Sequence, residues 1–590
     1  MRAVSFIWSH LALILVAALL LTHTGAAAEA HVTQIVVTNC TEAALRAAIG
    51  HGGFITISCG TSPITITLAA ELEVTQDTII DGGNLVTISG GRTTRVFHTA
   101  NYVALTLQNL TVSNGRPLSG NGSGAAIYGG WRGKMTILHS RFENNDGTSG
   151  NMETGGGAVF VAAGSRLVVR DSVFIGNRGT QGGAINNLLS SLVVENSQFI
   201  NNDSTAGGSV GYGYGGAIYI DGASEHPDDA IGGRIRIVKT VFRGNSAAGQ
   251  GGAVQAWVYP PDQVFVSDTT FDSNQVIPRP GGDAYGGALR LGNGNMTVAN
   301  TTFVSNLARN QGGALWIGGD NTNVSLTNVT LAGNVAASVN GADGLGGGIM
   351  VAGGRLSVNH ATIANNQAGF MGGAIYGGGA NVILKNTIIA GNTAHNPWNM
   401  NRQCTAALTN GGNNLQYPAN NPTDPDQIEC ATGIQVLDPQ LSGLADNGGP
   451  TWTMALLPDS PAIDTGNAAT CLPTDQRGIR RPQGSSCDSG AYEVVTGLAL
   501  YPPVAFAGDH SLTLVVVGDN FGAGSTVYWN GTPLATSLVD RITLQAIVPG
   551  ARLSAPASIP VTVTGSSLAG TTLQILPLRG RIFLPSLSLD

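Results

Sequence analysis

The sequence predicts an all-β chain: a right-handed parallel β-helix of about 12 coils with an N-terminal helical cap, followed by a small β-sandwich. Two interleaved motifs and a family of short β-branched runs carry that prediction. The first motif sets an apolar residue three positions before an asparagine: Phe142/Asn145, Phe174/Asn177, Phe199/Asn202, Phe242/Asn245, Phe271/Asn274 and Phe303/Asn306. It relaxes to Leu331/Asn334, Ile363/Asn366 and Ile389/Asn392. The second is a glycine pair, usually followed by alanine, beginning at Gly156, Gly182, Gly215, Gly251, Gly286, Gly312, Gly347 and Gly372. From Phe142 to Ile389 is 247 residues in eight steps, about 31 per step, a period that marks stacked units burying a shared core. Runs such as Leu192 to Phe199 are β-branched, roughly alternating, and bounded by Gly and Asn, which is strand punctuation and not a 3.6-residue pattern.

Each motif has a physical role in such a cylinder. The phenylalanines stack on those of neighbouring coils and fill the interior. The asparagines take left-handed corner conformations and bond the next coil's asparagine. The glycine pairs allow positive φ and close backbone approach. These two motifs resemble the polymorphic outer membrane protein repeat of secreted and surface-displayed β-helix proteins, over roughly residues 100 to 395. The resemblance implies a fold and a surface location but no activity, because such cylinders serve as adhesins, stalks and polysaccharide-cleaving enzymes alike.

The remaining segments follow in order. Residues 1–28 read as a signal peptide: Arg2, an apolar run from Leu11 to Leu21, and cleavage after Ala28 or Ala30. The β-helix with its cap occupies 31–395, the cap being a short helix from Thr41 with Ala44, Leu45, Ala48 and Ile49 on one face. Residues 396–493 read as irregular, and the ordered strings from Asp438 to Glu493 resemble the choice-of-anchor Q segment, which implies display at the envelope. Residues 496–575 carry alternating runs at sandwich spacing, and the strings around Gly518 to Gly522 and Val527 to Gly531 resemble the immunoglobulin-like IPT/TIG fold. A tail covers 576–590.

Composition and cysteines fit an exported protein. Only 11% of residues are charged, against roughly 25% in average proteins. A net charge of −8 without basic runs excludes a nucleic-acid binder. Six cysteines fall into local pairs outside the repeats, Cys40/Cys59, Cys404/Cys430 and Cys471/Cys487, which read as structural disulfides clamping the ends of the cylinder. No run after the leader is long enough to span a membrane.

Catalytic signals are sparse. Asp464, Asp475, Asp488 and Glu493 can gather as a metal or acid site, or cap turns and pair with Arg477, Arg480 and Arg481; the second reading is preferred. Asp171, Asp268, Asp272, Asp221, Asp228 and Asp229 show no register across three coils with a basic partner, and Lys134, Lys239 and Lys385 are widely separated. Tyr212, Tyr214, Trp257, Tyr259 and Trp316 lie in or beside repeat corners and can stack sugars or contact a protein. Alternatively, the long insertions 203–214 and 221–233 pack their own aromatics onto the cylinder. The second reading is slightly preferred, although these insertions are the best place for a ligand contact. The sequence therefore predicts a secreted or surface-displayed monomer with an adhesive or structural role, no cofactor, and the cell envelope or an extracellular polysaccharide or protein as partner. A polysaccharide lyase or glycoside hydrolase is the alternative.

Overall fold

A computed structural model describes residues 34–577, apart from 119–122, 150–154, 225–231, 280–281, 283, 339–340, 342, 399 and 421–426. The signal peptide with Ala28, Asp228, Asp229 and nearly all of the tail lie outside the described residues. The chain winds as a parallel β-solenoid of about 12 turns. A typical turn runs through the strand Ser191–Glu195, a corner at Asn196 and Ser197, the strand Gln198–Ile200, a second corner at Asn201 and Asn202, and, past an insertion, the strand Ile218–Asp221. The next turn repeats this in parallel register, pairing Leu192 with Ile235, Phe199 with Phe242 and Ile218 with Val254.

The phenylalanines form a continuous buried stack. Adjacent rings of Phe142, Phe174, Phe199, Phe242, Phe271 and Phe303 lie 4.8–5.0 Å apart at interplanar angles of 3–15°. That separation is the strand spacing itself, so each ring fills the layer its own coil makes. Leu331, Ile363 and Ile389 continue the column.

Beside the stack runs an asparagine ladder. Asn274 donates from Nδ2 to Asn306 Oδ1 at 2.9 Å and to the Phe242 carbonyl at 3.0 Å. Its Oδ1 accepts from the backbone N–H and Nδ2 of Asn245 at 3.0 and 2.8 Å. Asn177 repeats the pattern three turns earlier, donating to Asn202 Oδ1 at 2.9 Å and to the Phe142 carbonyl at 3.0 Å. The ladder starts where Asn145 accepts from the Gly115 N–H and ends on Gln403, whose Oε1 accepts from Asn392.

One expectation is corrected here. Asn145, Asn177, Asn202, Asn245, Asn274 and Asn306 are not the left-handed corner residues. That conformation belongs to the residue before each of them: Asn144, Gly176, Asn201, Gly244, Ser273 and Ser305 in the same order. Gly333, Asn365 and Gly391 do the same in later turns. The reason is geometric: the left-handed residue turns the chain, and only then can the following side chain point inward.

The glycine pairs divide their work. Gly182 has φ 66°, and a Cβ on Gly183 would lie 2.1 Å from the Gly216 carbonyl, so coils touch backbone to backbone there.

The helix Glu42–His51 starts with Thr41 Oγ1 accepting from the Ala44 N–H and buries Leu45, Ala48 and Ile49 in the solenoid core. At the other end the solenoid passes 395. Leu415 pairs with Ile388 and then Gln435, and Cys404 pairs with Ile375, so the stretch read as irregular adds parallel turns up to Val436. Cys404–Cys430 ties these turns together, while Cys40–Cys59 and Cys471–Cys487 are the other disulfides.

Beyond Val436 the chain folds back along the outer face of the phenylalanine strands. The outward residues there change from charged and bulky in early turns (Arg141, Glu143, Arg243, Asp272) to Thr302, Thr330, Thr362, Ala332, Ala364 and Ala390. Small residues leave room for the returning segment: Gln476 bonds Thr302 and Thr330, and Met454 packs on Ala332 and Ala364. The strands from Ala499–Tyr501 to Thr571–Leu576 then build two sheets, of four and five strands, around a core of their own that includes Trp529.

Candidate functional site

The strands following the eight glycine pairs join three earlier ones, Leu72–Val74, Phe97–Thr99 and Ile127–Gly129, in an 11-stranded parallel sheet. Strand alternation turns every second side chain outward. One outward column reads Tyr128, Phe160, Asn186, Tyr219, Gln255, Arg290, Trp316, Met350 and Tyr376. Beside it, two positions on, stand Asp221, Trp257, Gly292 and Gly318. The absence of side chains on the glycines lets the indoles lie on the sheet. A Cβ at Gly292 would meet the Trp257 ring at 2.4 Å, and one at Gly318 would meet Trp316 at the same distance.

Cations and rings lock this patch. The Arg290 guanidinium sits 4.4 Å from the Trp257 ring and 4.9 Å from that of Trp316, a double cation–π clamp. Tyr285 stacks on Trp316 at 5.4 Å, and the Trp316 Nε1 donates to Gln311. Tyr214 stacks on Tyr219 and lies under Arg279. The Tyr259 hydroxyl donates to Asp221 at 2.7 Å, and burial together with that carboxylate raises its pKa to about 12. Sequence reasoning found Tyr212, Tyr214, Trp257, Tyr259 and Trp316 but missed Tyr219, Gln255, Tyr285 and Arg290. The missed signal was available: the second residue after each Gly-Gly-Ala is always an outward one.

The carboxylates of the returning segment are structural. Asp475 accepts the N–H groups of Arg477, Ile479 and Glu493 and the Arg477 Nε at 2.9 Å, with both side chains fully buried. Glu493 accepts from Gln483 and Asp488, and Asp488 from Asp464 and Val494. Burial raises Asp488 to about 6 and Glu493 to about 7, although Arg481 lies 3.5 Å from Glu493. Arg481 also contacts His360, which burial and that guanidinium hold down to about 3. Arg480 is exposed and takes no part in these bonds.

The view that the acids lack register with basic partners is also corrected. His139, Asp171, Asn196, Lys239, Asp268 and Asn300 occupy the same left-handed corner of consecutive turns, and Asp272 pairs in register with Arg243 at 2.8 Å. One-residue corners put these side chains in line, a fact hidden by insertions of unequal length. Lys239 and Asp268, with Asn196, Arg477 and Asp540, line a cleft of about 540 Å³ between the solenoid, the returning segment and the terminal sheets.

Among the described residues no helix is long and apolar enough to cross a membrane. Among curated proteins no sequence matches. Solved structures similar to this chain include pectate lyase Pel9A, at 16% identity and a TM-score of 0.30, covering 76% of this chain and 90% of that one, and PfbA, a surface adhesin of Streptococcus pneumoniae, at 12% and 0.30, covering 70% and 96%. Residues 239–256 match the Chlamydia polymorphic membrane protein repeat, so the turn holding Phe242, Asn245 and the Gly251 pair is similar to that repeat.

Proposed function

We propose that the chain is an extracellular, surface-displayed β-helix with an adhesive or structural role, acting as a monomer without a cofactor. The observation that carries this reading is a rigid, disulfide-closed solenoid bearing an organised aromatic face. Rigid sheets hold contact residues more accurately than loops do. Oxidised cysteines belong to an oxidising compartment, and no described cysteine is free. In this reading the coil is right-handed. The helix Glu42–His51 caps its first open edge, and the Asp438 to Glu493 segment serves as the choice-of-anchor Q element. The terminal sheets form an IPT/TIG-like module that spaces or presents the rod. The test is location: antibody raised against the terminal module labels intact producing cells, and a signal confined to the cytosolic fraction contradicts the proposal.

The cleft containing Lys239, Asp268 and Asp540 favours a second reading, a polysaccharide lyase or glycoside hydrolase. Incubation with pectin, alginate and glycosaminoglycans, with and without calcium, separates the two. The adhesive reading predicts neither unsaturated products nor new reducing ends. Cleavage abolished by Lys239→Ala establishes the enzyme.

A further inference from the structure

Resting on the surface-binding reading, we propose that an open recess beside Arg355, on a different sheet from the aromatic column, binds a short stretch of a carboxylate-bearing polysaccharide. Register builds the recess. In the strands Asn295–Val304, Asn323–Ala332 and Arg355–Ala364, one outward column reads Thr297, Ser325 and Ser357. The same column holds Phe265 in the turn before, with the Arg236 guanidinium 5.3 Å from its ring, and Ile383 in the turn after. Three small hydroxylated residues thus make a floor between two bulky apolar ends. The hollow measures about 580 Å³, the size of a small-ligand site. It is open to solvent: Asn295, Asn323, Arg355 and Ile383 in its lining are exposed, and the floor residues are half-buried.

The groups in the recess select an acidic sugar. Its lining holds one cation, Arg355, and no carboxylate. Lys385, two positions past Ile383 on the same face, adds a second positive charge. Among the described residues neither of these cations has an ion pair, whereas Arg170, Arg236 and Arg243 on earlier turns pair with Glu195 or Asp272. A guanidinium with its N–H fork open receives a carboxylate through two parallel hydrogen bonds. The floor supplies the rest. The Thr297, Ser325 and Ser357 hydroxyls make no hydrogen bond among the described residues, and each can donate to or accept from a sugar hydroxyl. Asn323 donates to Asn295 Oδ1 at 3.3 Å, which lines up two amides along the flank. Successive turns are about 4.8 Å apart, so the three-turn floor, ~14 Å long, has room for about three sugar units laid along the solenoid axis.

The experiment is calorimetric titration of the full chain with trigalacturonate and a hyaluronan tetrasaccharide as acidic probes and cellotriose as the neutral one. At least one acidic probe binds, tenfold or more tightly than cellotriose. Arg355→Gln and Ser325→Phe each weaken it tenfold or more, while both melting temperatures stay near that of the parent. Ser325→Phe fills the floor with the ring that Phe265 already carries in this column. The proposal is overturned if no acidic probe binds at millimolar concentration, if cellotriose binds equally well, or if the Arg355→Gln chain binds like the parent. Retention of the full chain on intact cells is measured in parallel. Retention that the acidic probes do not compete overturns this site and leaves the adhesive reading standing, whereas loss of both overturns both.

Discussion

Phe271 and Asn274 stand three residues apart and stabilise the stack by different means. Phe271→Ala opens a cavity between two rings and loses ~3–5 kcal/mol. Asn274→Ala removes no large volume, but it strands the Asn245 N–H and the Phe242 carbonyl inside the core, while Asn306 Oδ1 keeps the Asn274 backbone N–H. Each orphaned buried group costs ~1–3 kcal/mol, so the loss is comparable with that of the phenylalanine. Denaturant midpoints of the two variants check this, and a near-neutral Asn274→Ala contradicts the ladder. The corner residue separates cleanly from both. Gly333 has φ 65°, and a Cβ added there would meet nothing within 4 Å, so Gly333→Ala costs only the left-handed term, ~1–2 kcal/mol, and Gly333→Asn less. The ladder asparagines, Asn177 and Asn274 among them, were legible in the sequence, but their backbone was not. A strong left-handed preference at Asn does not say which of two neighbouring residues turns.

At the scale of elements, the returning segment is the least legible part. Its bonds to the solenoid join residues up to 174 positions apart, and the Thr and Ala column that receives it acquires meaning only once the register is known. Thr362→Arg puts into a late turn the bulk that Arg141 carries at the same column position in an early one. The predicted outcome is rapid proteolysis beyond Val436 with the solenoid intact; unchanged protection contradicts the docking. The segment also carries a pH signature. Asp488 at about 6 and Glu493 at about 7 hold protons in the folded state that the unfolded chain has released. Their contribution is therefore fully present below the unfolded carboxylate range near 4 and is lost as pH rises through about 6 to 7. Glu493→Gln deletes one titration, so the Tm of the parent minus that of the variant shrinks from pH 4 to 7.5. The opposite contribution of His360 is common to both chains and cancels. A difference that widens with pH means that Arg481 dominates over burial.

For the molecule as a whole, repeat period and motif content were enough to read a stacked β-solenoid, because each turn contacts mainly its neighbours. The turns after Asn392 escaped notice because Gln416 and Val436 replace the phenylalanine column and Gln403 replaces the asparagine, leaving no motif to find. The central claim is that one repeat makes one turn, even across the long insertion between Asn202 and Asn245. Gln198 and Val241 are 43 residues apart in sequence, yet face outward as direct partners. Neighbouring turns are ~4.8 Å apart, within disulfide reach, and alternate turns, at ~9.6 Å, are beyond it. The decisive measurement is non-reducing peptide mapping of the full chain carrying Gln198→Cys with Val241→Cys, against Gln198→Cys with Thr270→Cys. The stack predicts a bridge in the first pair and none in the second; a bridge in the second, or failure of the first to close, contradicts it.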